Sequence, residues 1–248
     1  MDTEPDITPE EIFVLNKRVR LLQPPQGFRT SLDSVVLAAA CPAKANDLVL
    51  DMGAGVGGAT FCLWVRVPDC KVTGVERETD YFTLACENIH LNQAADHVSF
   101  LQGDIREFTT ERLFDHVICN PPYFESGHHT PSPDRIRAQA LGHQEDDMSV
   151  KEWIDCSFRS LKSGGSLTMI HQARMTDDII QGFGRRFGAV EIIPLWPRSG
   201  EAAKRVVIRA RKDRQTPCTL HAGLVLHAAT GGYTPETDAI LRDLQPLT

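Results

Sequence analysis

Leu48-Val49-Leu50-Asp51-Met52-Gly53-Ala54-Gly55-Val56-Gly57-Gly58 is the stretch on which the fold turns. It opens as an apolar run of strand length that closes on an acid, passes through a glycine-rich turn, and leads into Ala59 to Val67, which has helical length and composition. Glycines at the carboxyl end of a strand let the backbone pass close to a ligand. Working outward, Lys71 to Glu76 reads as a second strand, and Asp80 to Asn92 places Phe82, Ala85 and Ile89 at helical spacing. Strand, helix and strand in that order make a parallel β-α-β unit. The alternation continues with strands at Val98 to Gln102, His116 to Cys119 and Ser166 to His171, and with helices at Val150 to Leu161 and Thr176 to Phe187. Gly164-Gly165 punctuates a helix-to-strand turn. Ala189 to Ile193 and Arg205 to Ala210 follow with no helix between them, which suits an antiparallel pair. The expected fold is α/β and Rossmann-like: a mostly parallel twisted sheet with an antiparallel edge and helices on both faces.

With 248 residues and 42% hydrophobic content the chain can bury a sizeable core in a single domain, expected over residues 29–248. Residues 1–28 are expected to form an acidic extension, partly disordered at its start, where Asp2, Glu4, Asp6, Glu10 and Glu11 cluster. That start lacks the basic and apolar parts of a signal peptide, and the longest apolar stretches, Ser34 to Cys41 and Phe61 to Val67, fall far short of the roughly 20 residues that span a bilayer. No membrane contact and a cytoplasmic location are expected. The seven cysteines form no C-x-x-C pair and fit free thiols. His128-His129 has no third ligand at convincing spacing, so no metal is expected. The long segment Phe124 to Met148 is expected to border the active site.

The formal net charge of -7 argues against a protein that coats nucleic acid non-specifically. Locally the balance reverses: Arg198 to Arg214 holds Arg198, Lys204, Arg205, Arg209, Arg211, Lys212 and Arg214 against only Glu201 and Asp213. Such a run is either a solvated strand pair or a phosphate-binding face.

Gly53, Gly55 and Gly58 also satisfy G-x-G-x-x-G, with Glu76 about 20 residues on, as a dinucleotide-binding protein would show. Two features separate the readings: the acid Asp51 just before the loop, and Asn120-Pro121-Pro122-Tyr123 after the fourth strand. A planar amine is a poor nucleophile because its lone pair is delocalised. The Asn120 side-chain oxygen and the Pro121 carbonyl can accept its two N–H groups while Tyr123 stacks on the plane, aiming the lone pair at a methyl donor. Consecutive prolines restrict the backbone of Asn120 and Pro121, so these acceptors are set before substrate arrives.

On these residues the sequence resembles the class I S-adenosylmethionine-dependent methyltransferases. The resemblance implies S-adenosylmethionine as cofactor, Glu76 on its ribose hydroxyls and Asp104 on its adenine amine, although a solvated strand end and an ordinary turn aspartate are the plain alternatives for these two. Asp51, Gly53, Gly55, Gly57 and Asn120 complete the implied cofactor site, and Asn120, Pro121 and Tyr123 the catalytic one. From Arg29 to Asp243 the chain is similar to bacterial tRNA1(Val) adenine-N6-methyltransferase-like proteins, through Arg29-Thr30-Ser31-Leu32-Asp33, the glycine loop, Asn120 to Tyr123, Arg205 to Arg211 and Gly231-Gly232-Tyr233-Thr234-Pro235. That likeness implies an adenine amine in tRNA as substrate, adds Asp33 at the cofactor end of the cleft, and makes Arg135, Arg137, Arg205, Arg209 and Arg211 candidates for RNA contacts. The alternatives are a protein-glutamine or rRNA guanine N-methyltransferase, an inactive cofactor-binding scaffold and, disfavoured by Asp51, a nicotinamide-dependent dehydrogenase.

Overall fold

The computed structural model describes residues 8–27, 29–123 and 148–247. Its first element departs from the expected extension. β1 (Glu10–Val14) and β2 (Val19–Gln23) pair as an antiparallel hairpin. Alternation drives it, because Val19 and Leu21 point inward and join the core. The hairpin is fastened by Asn88, which lies on helix α3 (Thr79–Leu91) and is fully buried. The Asn88 side chain accepts from the Leu22 N–H at 2.7 Å and donates to the carbonyls of Leu22 and Val56, both at 3.0 Å. One amide thus ties the hairpin to the glycine loop.

Helix α1 (Leu32–Ala40) is N-capped by Ser31, whose hydroxyl accepts from the Asp33 N–H. Strands β3 (Leu48–Met52), β4 (Lys71–Glu76), β5 (Val98–Gln102) and β6 (Phe114–Cys119) are all parallel, with helix α2 (Gly58–Arg66) crossing from β3 to β4 and α3 from β4 to β5. Helix α4 (Val150–Ser160) opens on a capping box between Ser149 and Glu152 and leads to β7 (Leu161–Gln172), which pairs parallel with β6. Gly164-Gly165 lies within β7 rather than ahead of it, beside a register shift in the β6 pairing.

Helix α5 (Thr176–Phe183) stops four residues short of the expected Phe187, because Gly184 takes φ +54° and turns the chain into β8 (Phe187–Trp196). β9 (Arg205–Lys212) is antiparallel to both β7 and β8 and lies between them. Short strands β10 (Thr219–Leu220) and β11 (Leu224–Val225) flank β8, and helix α6 (Pro235–Arg242) follows. Gly231 to Pro235, chemically opaque as a motif, gains a structural role: Thr234 caps α6 by accepting from the Thr237 N–H, and Pro235 occupies the first helical turn.

The described residues form a nine-stranded sheet in the order β10-β8-β9-β7-β6-β3-β4-β5, with β11 also on β8. It is a mixed sheet of mostly parallel strands with an antiparallel edge, in a Rossmann-like arrangement. Successive residues of β3 enter different cores: Val49 packs with Leu37 and Phe61 from α1 and α2, whereas Leu50 and Met52 pack with Trp153 and Ile154 from α4. Period-two alternation with helices against both sides makes β3 apolar nearly throughout. From β3 the chain moves to β4 on one side and later to β6 on the other. That reversal opens a crevice at the carboxyl ends of these strands, the usual ligand position in such sheets. Among the described residues no helix is long and apolar enough to cross a membrane.

Candidate functional site

A cavity of about 240 Å3 opens in that crevice, with Gly53, Gly55, Glu76, Asp104, Asn120 and Trp153 in its wall. Gly53 sits at φ +67°, and a Cβ there would lie 2.7 Å from the Trp153 ring, so glycine is needed both for the turn and for the aromatic wall. The Gly53 and Ala54 N–H groups donate to the Val75 carbonyl at 2.9 and 3.0 Å, folding the loop over the end of β4.

Glu76 closes β4 and is only 8% exposed. Its Oε2 accepts from the Gly55 N–H at 2.7 Å and its Oε1 from the Glu78 N–H at 2.9 Å. Each carboxylate oxygen keeps lone-pair capacity for a further donor, and the two backbone bonds hold the group still. Asp104 also lines the cavity, but Arg106 grips it through its backbone N–H at 2.8 Å and its guanidinium at 2.5 Å. Hydrogen bonding to Arg106 holds the Asp104 carboxyl below its ordinary pKa, so it is an acceptor at neutral pH.

Asn120 follows β6 directly and is half-buried in the same wall, with Pro121 buried behind it and Pro122 at the rim. Tyr123 comes directly after rim residue Pro122 and is not itself in the cavity wall: its hydroxyl donates to Asp33 Oδ2 at 2.9 Å, and its ring lies 5.2 Å from that of His171. Arg205 Nε donates to the same carboxylate oxygen at 2.7 Å. Asp33, expected beside the cofactor, instead sits buried at 3% exposure holding Tyr123 and Arg205, and is not in the cavity wall.

Residues 37–163, just over half of the chain and all of this wall, match the TRM5/TYW2 methyltransferase domain. The chain belongs to that methyltransferase family. Relatives named tRNA1(Val) (adenine(37)-N6)-methyltransferase include one from Shewanella baltica, 27% identical over 88% of this chain and 92% of its own length. Another, from Vibrio parahaemolyticus, is 24% identical over 83% of this chain and 84% of its own. Among solved structures, a predicted O-methyltransferase from Agrobacterium tumefaciens superposes with a TM-score of 0.70 at 26% identity, covering 87% of this chain and 98% of its own. TYW2 of M. jannaschii in complex with AdoMet reaches 0.59 at 18% identity over 87% and 90%, a likeness of fold.

In this methyltransferase Asp51 supports the loop from beneath and is absent from the cavity wall. Its buried carboxylate accepts from the Thr60 hydroxyl at 2.6 Å, tying the end of β3 to the first turn of α2. Gly57 is likewise outside the wall; at φ +90° its missing Cβ leaves room for Phe61 and Phe100. Burial raises the Asp51 pKa from 3.8 to about 7, against the opposing Thr60 hydrogen bonds and with a small push from Glu76. A raised folded-state pKa means stability that is complete below about pH 4 and is lost as pH rises through about 7, at about 1.4 kcal/mol per pH unit. Asp51→Asn is therefore expected to gain on the wild type between pH 4 and 8, by up to about 4 kcal/mol. Denaturation midpoints of the two proteins across that range test this; parallel curves would show that Asp51 is ionised throughout.

The arginines of β9 do not form one basic face. Arg205 reaches Asp33 near the start of α1, while Arg209 donates to the Ala40 carbonyl at its end, 3.1 Å away, and pairs with Glu191 at 2.5 Å. About 13 Å of strand between these two arginines matches about 10 Å of helix between Asp33 and Ala40. Arg209 has a side chain only 13% exposed and supplies the positive charge that the last turn of α1 lacks. Arg211 is exposed, but β9 runs antiparallel to β7 and carries it to the opposite end of the strands, opposite Ser166. These placements set Arg205, Arg209 and Arg211, the candidates for RNA contacts, apart from one another along β9. Arg135, Arg137, His128, His129 and most of Phe124 to Met148 lie outside the described residues. Among the described residues no group of three or more potential ligands could hold a metal.

Sequence reading missed Trp153, Ile105, Arg106 and His171. Ile105 and Arg106 directly follow Gly103-Asp104 and could have been taken with it; Trp153 and His171 carry no local signal, because only packing brings α4 to the crevice and the end of β7 to Tyr123.

Proposed function

We propose that this methyltransferase methylates the exocyclic N6 amine of an adenine in tRNA. Its cofactor, S-adenosylmethionine, supplies when bound an electrophilic methyl group on a sulfonium. The residues fit it: Glu76 offers fixed acceptors for a vicinal diol, Asp104 a second acceptor, and Val75, Ile105 and Trp153 an apolar wall for an adenine plane. Asn120 carries the reading, since it stands in the wall shared with Glu76 and its side chain makes no hydrogen bond among the described residues. Its carbonyl oxygen is thus available to a substrate amine. The Asn120 oxygen and the Pro121 carbonyl accept hydrogen bonds from the two amine N–H groups, which localises the nitrogen lone pair and directs it into the cavity. Relatives spanning most of the chain bear names that specify an adenine of tRNA, which supports this substrate over a protein glutamine or an rRNA guanine.

Nucleoside mass spectrometry of tRNA incubated with the protein and a methyl-labelled cofactor tests the reaction. Labelled N6-methyladenosine is the expected product; labelled methylguanosine or a labelled protein would replace the substrate. Exposed Lys204, next to the Arg205 end of β9, is proposed as a phosphate contact. Binding of tRNA should then weaken with salt, with a log-log slope of about -0.7 to -0.9 per neutralised phosphate, and Lys204→Gln should flatten it by about one such step. Arg209→Gln should leave the slope alone and cost about 2 kcal/mol of stability through its lost charged hydrogen bonds. A slope changed by Arg209→Gln and untouched by Lys204→Gln would reverse the assignment.

A further inference from the structure

Outside the cavity wall, just beyond Pro122, lies a cluster of buried Asp33 and His171 with part-buried Tyr123 and Arg205. Its members come from four separate segments: the first turn of α1, the stretch after β6, the end of β7 and the start of β9. Asp33, His171 and Arg205 all lie outside the residues 37–163 that match the methyltransferase domain, so the flanks of the chain supply three of the four members.

We propose that Arg205, acting through Asp33, is a positioning residue that fixes the Tyr123 ring for stacking on the target base. The inference rests on the base-methylating reading above. One carboxylate oxygen of Asp33 accepts both the Tyr123 hydroxyl at 2.9 Å and Arg205 Nε at 2.7 Å, while the His171 ring, 5.2 Å away at 58°, bounds the phenol ring. A tyrosine whose backbone is set by Pro121-Pro122 and whose hydroxyl is anchored has lost its freedom of rotation before any base arrives. The guanidinium matters because Asp33 is only 3% exposed: with a neutral phenol as its one partner, a buried carboxylate is poorly compensated, and with a charged donor as well it is stable in place.

The electrostatics agree with this geometry. Burial first, then the charge of Asp33, pushes the Tyr123 phenol well above its ordinary pKa, so it stays a donor over the working range. Burial, reinforced by Arg174, lowers His171 to about 4, so the ring beside Tyr123 is neutral at pH 7 and sets no second cation against Arg205. A phenol donating to a carboxylate also has a more electron-rich ring face, which favours a base that gains positive charge as its amine is methylated.

The test has an arm that needs no tRNA. The chain has three tyrosines, so protein labelled with 13C at tyrosine Cζ gives a short spectrum in which Tyr123→Phe identifies one resonance. In the wild type that resonance should not titrate up to pH 11; in Asp33→Asn it should begin to, and in Arg205→Gln, which alters a half-exposed side chain and should fold, it should shift in position. The second arm is single-turnover methylation at saturating tRNA. Arg205→Gln should slow it on the order of 10–100-fold, with Arg205→Lys recovering part of the rate, cofactor affinity unchanged and the salt slope of tRNA binding unchanged. A Tyr123 resonance indifferent to both substitutions would overturn the clamp, whatever the activity. So would an Arg205→Gln protein with full rate and a flattened salt slope, which would return Arg205 to the phosphate contacts. If the wild type methylates no tRNA, the substrate reading fails and the spectra alone decide the clamp.

Discussion

Asn120→Ala is expected to bind S-adenosylmethionine within about twofold of the wild type while losing on the order of 10²–10³ in kcat, the usual cost of removing one preorganised polar group that acts at the transition state. The separation follows from where Asn120 stands. It touches the crevice from the end of β6, whereas the groups suited to a ribose and an adenine amine come from β4 and the turn after β5. Its amide makes no hydrogen bond among the described residues, so truncation leaves no protein group stranded and should not disturb the fold. Calorimetry with the cofactor and single-turnover transfer to substrate measure the two quantities independently. A variant that methylates at near-normal rate would remove Asn120 from the reaction and reduce Asn120 to Tyr123 to a rigid turn. Equal losses in cofactor affinity and rate would move Asn120 into the cofactor site.

Glu76→Ala should act on the other side of that division, weakening cofactor binding by about 1.5–3 kcal/mol, or roughly 10- to 150-fold in Kd. Two losses combine. The charged acceptors for the ribose diol disappear, and the Gly55 and Glu78 N–H groups lose the oxygens that held them at 2.7 and 2.9 Å, so the glycine loop loosens. Glu76→Gln separates these terms: it keeps the shape and one acceptor oxygen, and should retain more affinity than alanine but less than glutamate. Cofactor affinity that is the same in all three proteins would show that the ribose is held elsewhere.

The alternating elements and the crevice were legible because they are written in local pattern. Leu48 to Met52 reads as a strand from its own composition, the glycines that follow define a turn without reference to anything distant, and Asn120-Pro121-Pro122-Tyr123 announces rigid acceptors after a strand. The hairpin from Glu10 to Gln23 was obscured by its acidic start, since the hydrogen bonds that fasten it come from Asn88, 66 residues from Leu22. Arg198 to Arg214 shows the limit most clearly. Charge density along the chain suggests one basic face, yet β9 runs from the cleft end of the sheet to the opposite ends of the strands, so Arg205 meets Asp33, Arg209 meets Glu191 and Ala40, and Arg211 ends beyond reach of the cleft.

Sequence by itself determined the class of fold and the position of the crevice, because periodicity, glycine turns and proline stiffness act over a few residues. Tertiary structure alone decided which charges are consumed in holding α1 and Tyr123 in place. A side chain's partner depends on strand direction, register and the helix packed above it, and those arise only when segments far apart in sequence share one core.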